Sequence, residues 1–260
     1  MDYKEFYNNK TNCFRNVSLP GKRILILSPH PDDEVIACGG SIIKSLKDNA
    51  VFHIVYLTNG ERKITDKNDP FQRKKEALKV LQYFNVNSYE FLNLVDQNIE
   101  ISSAIINRLT NIIENFKPDL ICLPHLFDMQ LDHFMTNILL FHAIKNKFTF
   151  QFNILKYEVW TLLSPNLVIN ITDQIDSKKE AMRIYDSQLL QYDYINHIDM
   201  YGRVHNMSRI LWDENFVLLE YKFNIKNKFK NTTPWTHSEA FITMKYSDFI
   251  SEIENLNGVI

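Results

Sequence analysis

The residues best suited to chemistry are packed into Ser28-Pro29-His30-Pro31-Asp32-Asp33-Glu34. A histidine and three acids within five positions are costly to bury unless they are solvated, paired or bound to metal. Imidazole and carboxylate together make a ligand set for zinc and similar divalent ions. Pro29 and Pro31 flank His30 and restrict its backbone, which helps to fix a ligand. The bland alternative is an exposed turn running into an acidic helix start. At about 5% usage per residue type, however, the string Pro29–Glu34 arises by chance roughly once in 10^7 to 10^8 start positions.

A second cluster runs Pro124-His125-Leu126-Phe127-Asp128-Met129-Gln130-Leu131-Asp132-His133. Catalytic zinc takes three protein ligands and keeps a fourth position open. His30, Asp33 and His133 supply three. Asp128 and Asp132 are candidates for the outer carboxylates that metal-bound histidines need. His125, His197, His205 and His237 read as plain surface or core histidines.

These clusters need elements to bring them together. Arg23–Ser28 is a short apolar run that reads as a buried strand. Ala37–Lys47 has helical spacing, and Val51–Leu57 is the next strand. Asp69-Pro70 predicts a helix start, with an acid at the cap and proline in the first turn. Phe71, Lys74, Ala77, Leu78, Leu81 and Phe84 then share one face. Tyr89–Leu94 is a third strand, and Ser102 or Ser103 caps a helix with the stripe Ile105, Ile106, Leu109, Ile112, Ile113 and Phe116. Asp119–Leu123 is a fourth strand. Further strands are expected at Lys156–Leu163 and Asn166–Ile171, and helices at Asp173–Leu190 and 192–208. Alternation of this kind predicts an α/β fold: a Rossmann-like, mostly parallel sheet with helices on both faces. Both clusters then follow strands, at the sheet end where such folds bind ligands. The chain divides into a polar N-terminal extension, 1–21, and a single domain, 22–260.

Composition excludes several classes. The formal net charge is −2 and charged residues make up 23%, so no strong field draws nucleic acid or anionic membrane. Cys13, Cys38 and Cys122 form an odd set without a C-x-x-C, which argues against a disulfide framework and for a reducing compartment. No apolar h-region follows Met1, and no apolar run approaches membrane-spanning length. A cytoplasmic enzyme is the expectation, acting on a small molecule, with a homo-oligomer left open.

At its two clusters the sequence resembles the PIG-L/LmbE family of zinc-dependent N-deacetylases. That family acts on N-acetylglucosaminyl-phosphatidylinositol, on glucosaminyl-inositol and glucosaminyl-malate thiol precursors, and on antibiotic and polysaccharide sugars. Its motif [A/P]-H-P-D-D-E stands complete as Pro29–Glu34, and its H-x-D-H stands as Gln130-Leu131-Asp132-His133. Gly39-Gly40 and Arg73-x-x-Glu76 look like further family features, as do Tyr157–Trp160, Asn170–Asp173, Lys179 through Ser187-Gln188, and Ser238–Phe241.

The resemblance implies His30, Asp33 and His133 as ligands of zinc or of another divalent metal such as iron. It implies Asp32 as general base, which suits an acid that is beside a ligand without being one. It implies an oxyanion-stabilising role at position 130, where glutamine replaces the usual histidine and can donate only a neutral hydrogen bond. Arg62, Arg73 and Trp160 are substrate-binding candidates. The reaction implied is removal of the acetyl group from an N-acetylated amino sugar, free, nucleotide-linked, lipid-linked or in a glycoconjugate. Two alternatives stay open: an amidase for another small amide such as a thiol conjugate, and a metal- or sugar-binding protein without turnover.

Overall fold

The computed structural model describes residues 14–15, 17–60, 69, 71–145, 148–207 and 235–256. The N-terminal half builds its sheet from short apolar runs. Strands β1 (Phe14–Arg15), β2 (Arg23–Ser28), β3 (Val51–Thr58), β4 (Tyr89–Leu94) and β5 (Leu120–Pro124) are followed by β6 (Asn153–Tyr157), β7 (Leu167–Asn170) and β8 (Ser238–Lys245). Their spatial order is β1-β7-β8-β6-β5-β2-β3-β4. Strands β2 to β6 pair in parallel. β8 runs antiparallel between β6 and β7, and β1 pairs with β7 in parallel. The fold is therefore α/β with a mostly parallel sheet.

The helices are α1 (Asp33–Lys47), α2 (Gln72–Phe84), α3 (Ser103–Phe116), α4 (Leu131–Ile144), α5 (Ile175–Arg183), α6 (Asp186–Leu189), α7 (194–207) and α8 (Tyr246–Glu254). Side chains alternate across a strand, and the core divides accordingly. Ile24 and Ile26 of β2 pack with Ile42 of α1, Leu81 of α2 and Met182 of α5 on one face. Leu25 and Leu27 pack with Leu109 of α3, Leu140 of α4 and Phe249 of α8 on the other. Helices thus cover both faces. Among the described residues no helix is long and apolar enough to cross a membrane.

Several boundaries depart from the sequence reading. α1 starts at Asp33, four residues before the expected Ala37, because Asp33 and Glu34 occupy its first turn and complement the helix dipole. α2 starts at Gln72, with Phe71 rather than Asp69 at the cap. Asp69 forms a turn before the helix, its Oδ1 accepting from the Phe71 N–H at 3.3 Å. Phe71 and Leu78 are exposed, while Arg73, Glu76 and Val80 are buried, so the inward face of α2 is partly charged. Ser102 caps α3 and accepts from the Ile105 N–H. The strand expected at Lys156–Leu163 lies at Asn153–Tyr157. The helix expected over Asp173–Leu190 breaks after Arg183, and the Ser187 N–H and Oγ donate to Glu76 at 3.0 and 2.7 Å. β8 and α8 carry no clear period in a stretch of mixed aromatic and polar residues, and were not anticipated.

Candidate metal centre

β2 lies between β3 and β5. The chain adds β3 and β4 on one side of β2 and later adds β5 and β6 on the other. The crevice outside the carboxyl ends of β2 and β5 is therefore the switch point at which open α/β sheets bind ligands. His30 follows β2, Asp33 opens α1, and His133 lies in the first turn of α4 after β5. All three are buried.

Their polar atoms converge. Asp33 Oδ2 lies 3.1 Å from His30 Nδ1 and 3.3 Å from His133 Nε2. The ring centroids of the two histidines are 5.5 Å apart. One ligand atom from each of the three residues fits within 4.8 Å of the others. His133 Nε2 is buried and has no hydrogen-bond partner. An orphaned imidazole nitrogen facing a carboxylate and a second imidazole is the donor set of a divalent metal at about 2.0–2.2 Å from each ligand. The residues present fit such an ion.

The far nitrogens of both histidines meet carboxylates. His133 Nδ1 lies 3.1 Å from Asp128 Oδ1, an ion-pair contact outside hydrogen-bond angles. Asp128 Oδ2 accepts from the backbone N–H groups of Val159, Trp160 and Thr161 at 3.2, 2.9 and 3.2 Å. His30 Nε2 is 3.0 Å from Asp132 Oδ2 and 3.5 Å from Asp96 Oδ1. The Gln97 N–H donates to Asp132 Oδ2 at 2.7 Å. Burial alone would lower the His30 pKa, but Asp132, Asp33 and Asp96 outweigh it and raise it. Burial would raise the Asp33 pKa, yet His133 and His30 pull it well below the usual range.

Asp32 is held apart from this set. Its backbone sits at φ 124°, a conformation that L-residues avoid at a cost of about 1–3 kcal/mol. The Asp32 N–H donates to Glu34 Oε2 at 3.1 Å. Glu34 Oε1 in turn accepts from the Tyr56 and Tyr185 hydroxyls at 3.1 and 2.6 Å. The arrangement aims the Asp32 carboxylate at Arg73, whose Nη2 is 2.5 Å from Asp32 Oδ2. Burial pushes the Asp32 carboxyl up to about 6, against the pull of Arg73.

A small cavity is lined by His30, Asp32, Asp33, Arg73, Gln130 and Trp160, with Asp96, Gln97 and Tyr194 completing the wall. It gathers the sequence-expected residues His30, Asp32, Asp33, Arg73, Gln130 and Trp160, with His133, Asp128 and Asp132 close behind. Arg62 lies outside the described residues, as does Cys13. Asp96 and Tyr194 were not anticipated. Asp96 had a readable signal, being an acid two residues beyond β4 at the ligand end of the sheet. Tyr194 had none. The other histidines bond to the scaffold: His125 Nε2 to Thr161 O, His197 Nε2 to Val159 O, His205 to Glu158 and His237 to Asp199. Cys38 and Cys122 are buried free thiols.

The chain is similar to known proteins in sequence and in fold. Residues 25–144 match the family model described as PIG-L: GlcNAc-PI de-N-acetylase. That span contains both motifs, and the resemblance to PIG-L/LmbE deacetylases is shown. The diacetylchitobiose deacetylase of Thermococcus kodakarensis is 24% identical over 189 residues, covering 64% of this chain and 70% of that protein. A glucosamine-6-phosphate deaminase-like protein of Bacteroides thetaiotaomicron is 30% identical over 87 residues, 34% of this chain, but the match spans only 12% of that protein's length. Among solved structures, the N,N'-diacetylchitobiose deacetylase of Pyrococcus horikoshii superposes with a TM-score of 0.69 at 20% identity, over 94% of this chain and 93% of that one. The 4-carboxy-2-hydroxymuconate hydratase of Pseudomonas putida superposes at 0.61 and 18% identity, over 85% and 95%. At such identities these structures share the fold, and the fold carries more than one reaction.

Proposed function

We propose that this chain is a metal-dependent hydrolase that removes the acetyl group from an N-acetylated amino sugar. The observation that carries the reading is the convergence of His30, Asp33 and His133 beside a separate carboxylate, Asp32, in one cavity. The family match over residues 25–144 and the deacetylase relatives support the reaction class.

His30, Asp33 and His133 would hold the ion, zinc or another divalent metal such as iron. Such an ion supplies Lewis-acid activation of water and neutralises charge on the amide oxygen. The chain does the rest. Asp32 accepts the proton of the attacking water as the new C–O bond forms. A carboxyl with a pKa near 6 is matched to that task near neutral pH. Protonated Asp32 then returns the proton to the departing nitrogen as the C–N bond breaks, leaving acetate and a free amine. Gln130 offers its side-chain N–H to the amide oxygen. Arg73 fixes the Asp32 carboxylate, and its occupied Nη2 makes that its main role rather than substrate binding. Asp128 and Asp132 orient the two imidazoles. Trp160 forms an apolar wall.

The test is acetate release from a panel of N-acetylated sugars by the zinc-loaded protein, with Asp32→Asn as control. Release that disappears in Asp32→Asn establishes the reaction and begins to name the sugar. No release by protein with bound zinc would remove this reading and leave the other small-amide or non-catalytic alternatives.

A further inference from the structure

Beyond Tyr157 the chain leaves the sheet, so the backbone groups of residues 158–161 need partners outside any ladder. The N–H groups of Val159, Trp160 and Thr161 share one, Asp128 Oδ2. The carbonyls find others, and two of these come from α7. His197 Nε2 donates to Val159 O at 2.8 Å, and the Tyr201 hydroxyl donates to Trp160 O at 2.7 Å. His125 Nε2 donates to Thr161 O at 2.9 Å. Glu158, at the head of this strap, accepts from His205 Nε2 with one oxygen and from the Leu163 N–H with the other, the latter at 3.0 Å.

His197, Tyr201 and His205 stand four residues apart, so they share one face of α7. A face that served packing alone would be apolar, since a buried polar group is costly without its bond. Here every member of the row bonds to the strap. Burial holds the His197 pKa down, so the ring is neutral and its one N–H faces the carbonyl. The Tyr201 ring stacks on it, with centroids 4.2 Å apart.

A peptide unit joins the carbonyl of one residue to the N–H of the next. The unit of Val159 C=O and Trp160 N–H therefore lies between His197 and Asp128. The unit of Trp160 C=O and Thr161 N–H lies between Tyr201 and Asp128. A donor on the carbonyl polarises the unit and strengthens the bond its N–H makes. Asp128 in turn stands 3.1 Å from His133 Nδ1.

We propose that His197 and Tyr201 are positioning residues for the metal centre: through two peptide units of the strap they fix Asp128, and through Asp128 the imidazole of His133. The proposal rests on the metal-dependent reading, whichever amide is hydrolysed.

The experiment measures the zinc affinity of the full chain by chelator competition, without turnover. Tyr201→Phe keeps the ring and its stack on His197 and removes only the hydroxyl. Tyr246→Phe is the control, because it deletes a like bond, to Ile144 O at 2.6 Å, at the other end of the sheet. Zinc affinity is expected to fall by about three- to tenfold in Tyr201→Phe, one step weaker than the roughly 10–100-fold of a direct outer partner, and to hold in Tyr246→Phe. In an Asp128→Asn background the same Tyr201→Phe change is expected to cost little, because its route is already cut. Unchanged affinity in Tyr201→Phe would overturn the role. So would an undiminished loss in the Asp128→Asn background, or an equal loss in Tyr246→Phe. Should Tyr201→Phe fail to fold, His197→Gln, which keeps a side-chain N–H, is compared with His197→Leu. Tighter zinc binding by the glutamine variant supports the clamp, and equal binding overturns it. A wild type that binds no zinc overturns the metal centre and the clamp together, whereas one that binds zinc and releases no acetate removes only the deacetylase reading.

Discussion

Arg73 Nη2 lies 2.5 Å from Asp32 Oδ2, and both side chains are buried. The pair joins the inward charged face of α2 to the strained residue before α1. Gly60 makes room for it: at φ +66°, a Cβ there would collide with the Arg73 guanidinium. Removing one member of a buried pair leaves the other charge uncompensated, at about 3–5 kcal/mol. Arg73→Ala is expected to lower the urea midpoint accordingly. It also removes the charge that holds the Asp32 pKa down, so the acid limb of the rate profile moves to higher pH. A profile and midpoint identical to wild type would separate Arg73 from Asp32.

Asp128 presents a second kind of coupling. One oxygen sits against His133 Nδ1, while the other gathers three successive backbone N–H groups from Val159 to Thr161. Those three donors fix the carboxylate, and the carboxylate fixes the imidazole. Loss of such an outer partner costs roughly 10–100-fold in metal affinity. Asp128→Asn keeps the shape but turns an N–H toward donors. Its zinc affinity, measured by chelator competition, is expected to fall within that range while the far-ultraviolet circular dichroism stays native.

Much of this was legible because local chemistry dictated it. Arg23–Ser28 and Tyr89–Leu94 are apolar runs without helical spacing, and they form strands over those spans. The two histidine clusters followed strands in the reading and follow strands in the structure. What stayed hidden depends on distance. Glu76 looked like half of a sequence pattern, and its partner Ser187 lies 111 residues on. The φ of Asp32 is set by Glu34, Tyr56 and Tyr185 together, and no single segment announces it. β8 pairs antiparallel between two strands from other parts of the chain, and its SEAFITMK pattern looked irregular without them.

Gly40 shows why the glycine pair after the first motif matters. A Cβ there would come within 2.8 Å of Ile171 Cβ, an atom fixed to the backbone. The Gly40 N–H also donates to Glu239 Oε1 at 2.9 Å, and Lys178 Nζ reaches the same oxygen at 2.6 Å. Overpacking costs about 1–3 kcal/mol, against a helix-propensity gain of about 1 kcal/mol. Gly40→Ala is therefore expected to lower the melting temperature. A raised value would mean that α1 moves freely away from Ile171.

Gln130 caps α4 and faces the cavity from the same segment that delivers His133. Its backbone begins the helix: the His133 N–H donates to Gln130 O at 3.1 Å. Its side chain makes no cap bond and lines the cavity. Backbone and side chain therefore separate cleanly on substitution. Gln130→Ala keeps the helix start and the ligands, so zinc content should hold while kcat falls, by about tenfold for a neutral donor of ordinary strength. Gln130→His restores a group that carries charge, and its rate should rise above wild type where the imidazole is protonated. An unchanged kcat in Gln130→Ala would remove Gln130 from the chemistry.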